Sequence, residues 1–225
     1  MNLVLVTQPP PEYRLHPGGD GMAATAEDIR RGRKFAQVLD GARRVFLRDG
    51  FDGASVDDIA REAGVSKATL YSYFPDKRLL FVEVARGECA RQAHEGAATI
   101  NMDRPAREVM LDAGRLIAAF MLSDFGLNAF RLCVAESDRF PEVGRDFYFS
   151  GPHVVREKIM AYLRFAVSRG ELVIDDIPLA AEQFRELCKA DLHDRAVFGV
   201  RPDGPRDIER TVTGAVDMFL ARYGA

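Results

Sequence analysis

Residues Ser55 to Lys77 read SVDDIAREAGVSKATLYSYFPDK, and the order of residue types predicts two short helices joined at a sharp corner. Ser55 followed by Asp58 has the Ser-x-x-acid spacing of a capping box, which satisfies amides left open in a first helical turn. Ile59, Ala60 and Ala63 form an apolar stripe whose alanines let a second helix come close. Gly64 falls where the corner needs positive φ, a conformation that costs an ordinary L-residue roughly 1–2 kcal/mol. Val65 packs the corner, and Ser66 caps a second helix over Lys67 to Phe74. On that helix Leu70 points inward and Phe74 reads as core, while Lys67, Thr69, Tyr71, Ser72 and Tyr73 are left facing outward. This is the helix-turn-helix arrangement that places its second helix in a DNA major groove. The bland alternative is a helical hairpin inside an all-α core.

Charge supports the DNA reading locally. Between residues 30 and 48, seven basic side chains (Arg30, Arg31, Arg33, Lys34, Arg43, Arg44, Arg48) stand against one acid, Asp40. A basic helix beside a helix-turn-helix is the electrostatic footprint of phosphate contact, whereas a merely solvated face carries interspersed acids. The whole chain has a formal charge of −3, with 13 basic and 12 acidic side chains in residues 1–86 and 18 and 22 in residues 87–225. The basic character is therefore local, which argues against a generic nucleic-acid coat.

Residues 33–86 resemble the DNA-binding domain of the TetR family of bacterial one-component regulators. The resemblance runs through a leading helix (Phe35, Val38, Leu39, Ala42, Phe46), Gly50-Phe51, Ile59-Ala60, Ala63-Gly64-Val65-Ser66, Leu70-Tyr71, Tyr73-Phe74 and Lys77. Ala68 stands where many members carry glycine, and Gly41 where they carry alanine, so the leading helix is expected to be slightly weakened at Gly41. The resemblance, with side-chain chemistry, implies phosphate anchoring by Ser55, Ser66, Tyr71 and Lys77, helped by Arg33 and the other arginines of the leading helix. Free amides at helix N-termini suit phosphate oxygens. Base edges would be read by Lys67, Thr69, Ser72 and Tyr73: lysine reaches guanine acceptors and a threonine methyl touches the thymine methyl. Ala68 is small enough to let the helix sit deep. One helix reads only a few base pairs, so two heads on a twofold axis reading a palindromic operator are expected. Double-stranded DNA and a second copy of the chain are the implied partners.

The rest reads as helical. Asp76 caps a helix running to about His94, residues 96–103 form a break, and a long helix begins near Pro105. Further helices cover about 127–137, a short stretch from Pro141 to Gly151-Pro152, and a segment with Val155, Ile159 and Leu163 that Gly170 stops. Leu172-Val173-Ile174 is an extended connector too isolated to found a sheet. Asp175-Asp176 looks like helix-start chemistry before a helix opened by Pro178, and the last helix begins at Pro205. The expected fold class is all-α. An N-terminal three-helix helix-turn-helix DNA-binding domain (27–86) follows a flexible Pro/Gly-rich tail (1–26), and a C-terminal helical ligand-binding and dimerisation domain covers 87–225. Within the tail, Met22 offers an alternative translation start.

Three segments, SDRFPEVGRDFYFSGPHVV, RGELVIDDIPLAAEQF and ADLHDRAVFG, spanning residues 137–199, resemble the AefR-like C-terminal domain of one branch of TetR regulators. That resemblance implies allostery: a small-molecule effector would shift the dimer so that the reading helices no longer match successive grooves. The helix starting at Asp76 is the natural connecting rod, and the last two helices, near 178–197 and 205–223, are the expected dimer faces. Pocket candidates are Phe120, Phe125, Phe130, Phe147, Phe149, Met160, Phe165 and Phe184. The polar candidates are Arg131, His153, Asp191 and His193.

Other classes find little support. No nucleophile motif, phosphate loop or metal-ligand spacing among His16, His94, His153 and His193 is present, so no catalytic residue, metal or cofactor is expected. Cys89, Cys133 and Cys188 lie far apart without paired spacing, which suits reduced thiols in a cytoplasm. No run of roughly 18 or more apolar residues suggests a membrane span, and MNLVLVTQ is too short for a signal-peptide core. The serious rivals are a local activator and a DNA binder controlled without an effector, whose C-terminal core would be filled rather than hollow.

Overall fold

The computed structural model describes residues 26–200 and 204–225, with side chains placed from residue 32 onward. The expected tail up to residue 25, the Met22 start and the side chains of Arg30 and Arg31 lie outside the described residues. Among those described, every regular element is a helix: α1 Ala26–Gly53, α2 Val56–Glu62, α3 Lys67–Tyr73, α4 Lys77–Ala98, α5 Ala106–Met121, α6 Asp124–Ser137, α7 Pro141–Ser150, α8 Pro152–Ser168, α9 Ile177–Val197 and α10 Pro205–Tyr223. The all-α expectation holds.

The boundaries have local causes. Ser55 Oγ accepts the amide of Asp58 at 3.0 Å, Ser66 Oγ that of Thr69 at 3.1 Å, and Asp76 those of Arg78 and Leu79 at 2.8 and 3.0 Å. Such caps contribute about 1 kcal/mol each. Gly64 takes φ +63 in the corner between α2 and α3, and Gly170 φ +71 after α8. α4 runs past His94 to Ala98, and Pro105 caps α5 from outside instead of opening it. α9 is interrupted at Ala190, whose φ of 35° and ψ of −130° leave the helical region. Leu172 bridges Gly224, and Val173 donates to the Tyr223 carbonyl at 2.8 Å, so the connector before α9 clasps the end of α10.

The first three helices and the start of α4 share a core of Val38, Ala42, Val45, Phe46, Ile59, Ala60, Leu70, Phe74, Leu80, Phe81, Val84 and Ala85. Ala129 of α6 belongs to the same core, and Phe125 of α6 lies 5.3 Å from the Phe81 ring. α4 and α6 thus cross the division expected after residue 86. A second core joins α5, α8, α9 and α10 around Met110, Leu163, Phe184, Val216 and Phe219.

Gly41 has a role that its helix propensity hides. A Cβ built there would lie 2.6 Å from both the Cα and the N of Ala63. The missing side chain, with the small Ala63, is what allows α1 to touch the end of α2. Gly41→Ala should therefore destabilise the protein by about 1–3 kcal/mol through overpacking, whatever it gains in propensity. Gly32, on the same helix with no atom within 4 Å of its would-be Cβ, should gain up to about 1 kcal/mol when changed to alanine. Thermal melts of the two variants should move in opposite directions.

Candidate functional site

α3 stands on the surface because only Leu70, of its seven residues, is fully buried. Lys67, Ala68, Tyr71 and Ser72 are exposed, and Thr69 and Tyr73 are half-buried. The polar groups are already ordered. Lys67 Nζ sits 2.6 Å from Asp57 Oδ1 of α2, and that hydrogen bond and charge hold the lysine above its ordinary range. Thr69 Oγ1 meets Ser66 Oγ at 2.9 Å, while Ser72 Oγ donates to the Thr69 carbonyl at 2.7 Å. Ser72 therefore offers lone pairs outward more readily than its proton. Tyr73 rests edge-on against Phe35 at 5.6 Å, and buried Phe74 stacks on the same ring at 5.5 Å. Phe74 is core, as its position suggested.

The residues expected to anchor phosphate are distributed differently. Ser55 and Ser66 are the N-caps of α2 and α3, Tyr71 is 49% exposed beside them, and Arg33 is exposed on α1. Lys77 has structural work: its Nζ donates to the carbonyls of Phe51 at 2.8 Å and Ala54 at 3.0 Å, and lies 4.4 Å from the centre of the Phe51 ring. Two of its three donors tie the end of α1 to the start of α4, which leaves one for a phosphate.

The supposed basic face of α1 requires correction. Arg44 pairs with Asp40 and with Glu62 of α2, Arg48 with Asp49, and Arg43 with Glu88 of α4. Two of the four acids that neutralise these arginines, Glu62 and Glu88, come from other helices, so the run of positive charge in sequence is only partly a run in space.

Glu88 is the most constrained of these acids. It is buried, and it accepts Arg43 Nε at 2.7 Å, Arg91 Nε at 3.0 Å and Gln92 Nε2 at 3.0 Å. Burial, the largest single influence, disfavours the carboxylate, but the hydrogen bonds from Arg91, Arg43 and Gln92 together outweigh it and hold the pKa at about 2. The acid thus pins α1 to α4 through Arg43, and Gln92 on its other side belongs to the wall of a cavity.

That cavity, of about 240 Å³, is bounded by α4 through α9. The structure brings Phe120, Phe130, Phe147, Phe184 and His193 together in its wall. His193 meets Phe130 edge-on at 4.8 Å, and burial, with the nearby Lys189 charge, pushes its pKa below the usual value. Three other candidates lie elsewhere. Arg131 donates to the carbonyls of Ala196 and Val197 and so caps the end of α9. His153 packs against Phe149 on the surface side of α8, and Met160 is buried in the four-helix core. Phe125 packs on Phe81, and Phe149, Phe165 and Asp191 are exposed. Sequence reasoning missed Gln92, Lys158, Tyr162, Arg185 and Lys189. The spacing of Lys158 and Tyr162 with Val155 and Ile159 on α8 was the available signal. All three cysteines are free and buried, and burial pushes each thiol up to about 12.

Known proteins match this arrangement. Residues 38–84 match bacterial regulatory proteins of the tetR family, and residues 108–225 match the AefR-like transcriptional repressor C-terminal domain. The HTH-type transcriptional repressor AcnR of Corynebacterium glutamicum is 26% identical over 185 residues, 80% of this chain and 90% of AcnR. A solved TetR-family transcriptional regulator from Mesorhizobium loti superposes with a TM-score of 0.73 at 29% identity, covering 87% of this chain and 99% of its own. The flavonoid-responsive regulator FrrA gives 0.64 at 32% identity, covering 86% and 98%.

Asp57→Asn should release Lys67 and remove a competing negative charge from the reading surface. DNA affinity should rise, and the slope of log K against log salt should steepen by up to about one unit; fluorescence anisotropy across a salt series measures both. Glu88→Gln tests the pin between α1 and α4. The folded pKa of about 2 lies below the ordinary 4.5, so the carboxylate stabilises the fold above pH 4.5, and that contribution fades as pH falls towards 2. Wild type should exceed the variant by about 3 kcal/mol near pH 7, and denaturant titrations should show the two converging as the solution is acidified.

Proposed function

This chain belongs to the tetR family of bacterial regulatory proteins, and from that premise we propose a cytoplasmic homodimeric repressor that occupies a palindromic operator and leaves it when a small molecule enters the cavity. It is a transcriptional regulator, not an enzyme. In this reading Lys67, Thr69, Ser72 and Tyr73 read base edges, with Ala68 allowing close approach. Ser55, Ser66, Tyr71, Arg33 and the remaining donor of Lys77 hold phosphates, which fix register without carrying sequence information.

The observation that carries the proposal is a hollow body joined to the reading head through two shared helices, α4 and α6. α4 places Leu80, Phe81, Val84 and Ala85 in the head core and Cys89, Gln92, Ala93, Gly96 and Ala97 in the cavity wall. α6 repeats the pattern, with Phe125 and Ala129 on the head and Gly126 and Phe130 on the cavity. A ligand that resets either helix must move the head with it. Coupling of about 1–3 kcal/mol would change operator occupancy roughly 5- to 150-fold. An open apolar cavity favours this over a binder controlled without an effector, and the flavonoid response in FrrA's name agrees. Leu179 on α9 and Met218 on α10 are 46% and 63% exposed, which suits these helices as the dimer faces.

Selection of bound duplexes from a random pool by the full-length protein tests the proposal. The enriched sequence should be an inverted repeat with half-sites spaced by whole helical turns. Thr69→Ala should relax preference at one symmetry-related base pair. Recovery of no inverted repeat, or a monomer at micromolar concentration, would contradict it.

A further inference from the structure

The cavity wall is lopsided in charge. Lys158 of α8 and Arg185 and Lys189 of α9 line it, and no aspartate or glutamate does. Cys89 and Tyr162, also in the wall, are pushed up to about 12 by burial and stay neutral. The cations gather because α8 and α9 pack side by side, and because residues 185 and 189 are one turn apart on the same helical face.

Their surroundings leave that charge only partly compensated. Glu186, outside the cavity, reaches Arg185 and Lys189 at 2.7 Å each, so a single carboxylate is shared by two cations. Half-buried Lys158 has no ion pair or hydrogen bond among the described residues. The Nε–H of Arg185 is buried without an acceptor, a state that favours any anion able to reach it. Apart from Gln92, Tyr162 and His193 the rest of the wall is apolar, with Phe120, Phe130 and Phe184 contributing aromatic faces.

The geometry points to a hydrophobic carboxylate as the effector class: one anionic head held by Lys158 with Arg185 and Lys189, and one apolar body against the phenylalanines. This rests on the ligand-gated reading above and specifies its chemistry. The volume of about 240 Å³ exceeds the roughly 150 Å³ that accommodates benzene, so the body is a ring with a short chain or an alkyl chain of medium length. A permanently cationic or purely neutral molecule would leave the wall charges uncompensated, or add to them.

Calorimetric titration of the full-length protein with octanoate and 4-phenylbutanoate, each beside its uncharged amide of equal size, tests this. The carboxylates should bind at least about tenfold tighter than the amides. Lys158→Gln should remove most of that difference while leaving amide binding within about twofold, and Lys158→Arg should restore it. Circular dichroism and melting curves confirm that the variants are folded. Equal affinity for acids and amides, no binding of any of the four probes, or an equal loss of both in Lys158→Gln would overturn the assignment. Operator affinity with and without saturating carboxylate, on the same samples, reports separately on the ligand-gated reading.

Discussion

The structure depends on α4, whose first half is buried between two groups of helices. Its first turns complete the core of the reading head, and its later turns wall the cavity. Nine of its residues are buried, including two acids, Glu83 and Glu88. A helix whose first half is so enclosed cannot slide or rotate without disturbing the head core, because interiors are packed too tightly to deform continuously. The polar contacts reinforce this, since Glu88 joins α1, α4 and the cavity-wall residue Gln92 through one carboxylate.

The hollow body runs against the general tendency of cores to fill. The open cavity leaves much apolar wall unburied, and a ligand that fills it would remove that surface from water. On the ligand-gated reading proposed above, the empty and filled arrangements would differ where α4 and α6 meet the head. The reading surface shows similar economy. Lys67 is held by Asp57 and Lys77 by two carbonyls, so the cations are preorganised, and part of their charge is already engaged before DNA arrives.

What could be read from sequence was local. The caps at Ser55, Ser66, Asp76 and Asp176, the positive φ of Gly64 and the burial of Leu70 and Phe74 all follow from neighbours within a few residues. Contacts made across the fold were not legible. Glu88, which answers Arg43, and Glu62, one of the two acids answering Arg44, lie 45 and 18 residues away, so part of a basic stretch in sequence became a set of ion pairs. Gly41 looked like a weak point because propensity counts only its own helix, whereas its importance lies in the Ala63 backbone opposite. The cavity was half legible: aromatic residues announce a pocket, but nothing local in the sequence says that α8 and α9 bring Lys158, Arg185 and Lys189 together. Arg131 and Met160 show the converse, a charge used as a cap and an apolar residue that is simply core.

Coupling between two sites is reciprocal, so on the proposed reading, in which cavity occupancy alters operator binding, operator binding must also alter the cavity. Hydrogen–deuterium exchange of the full-length protein with and without its selected operator tests this most directly. The account predicts changed protection in α3 and also in the cavity-lining turns of α4 and α6, around Cys89 to Ala97 and Gly126 to Phe130. Changes confined to α1–α3, with the cavity wall exchanging identically in both states, would contradict it.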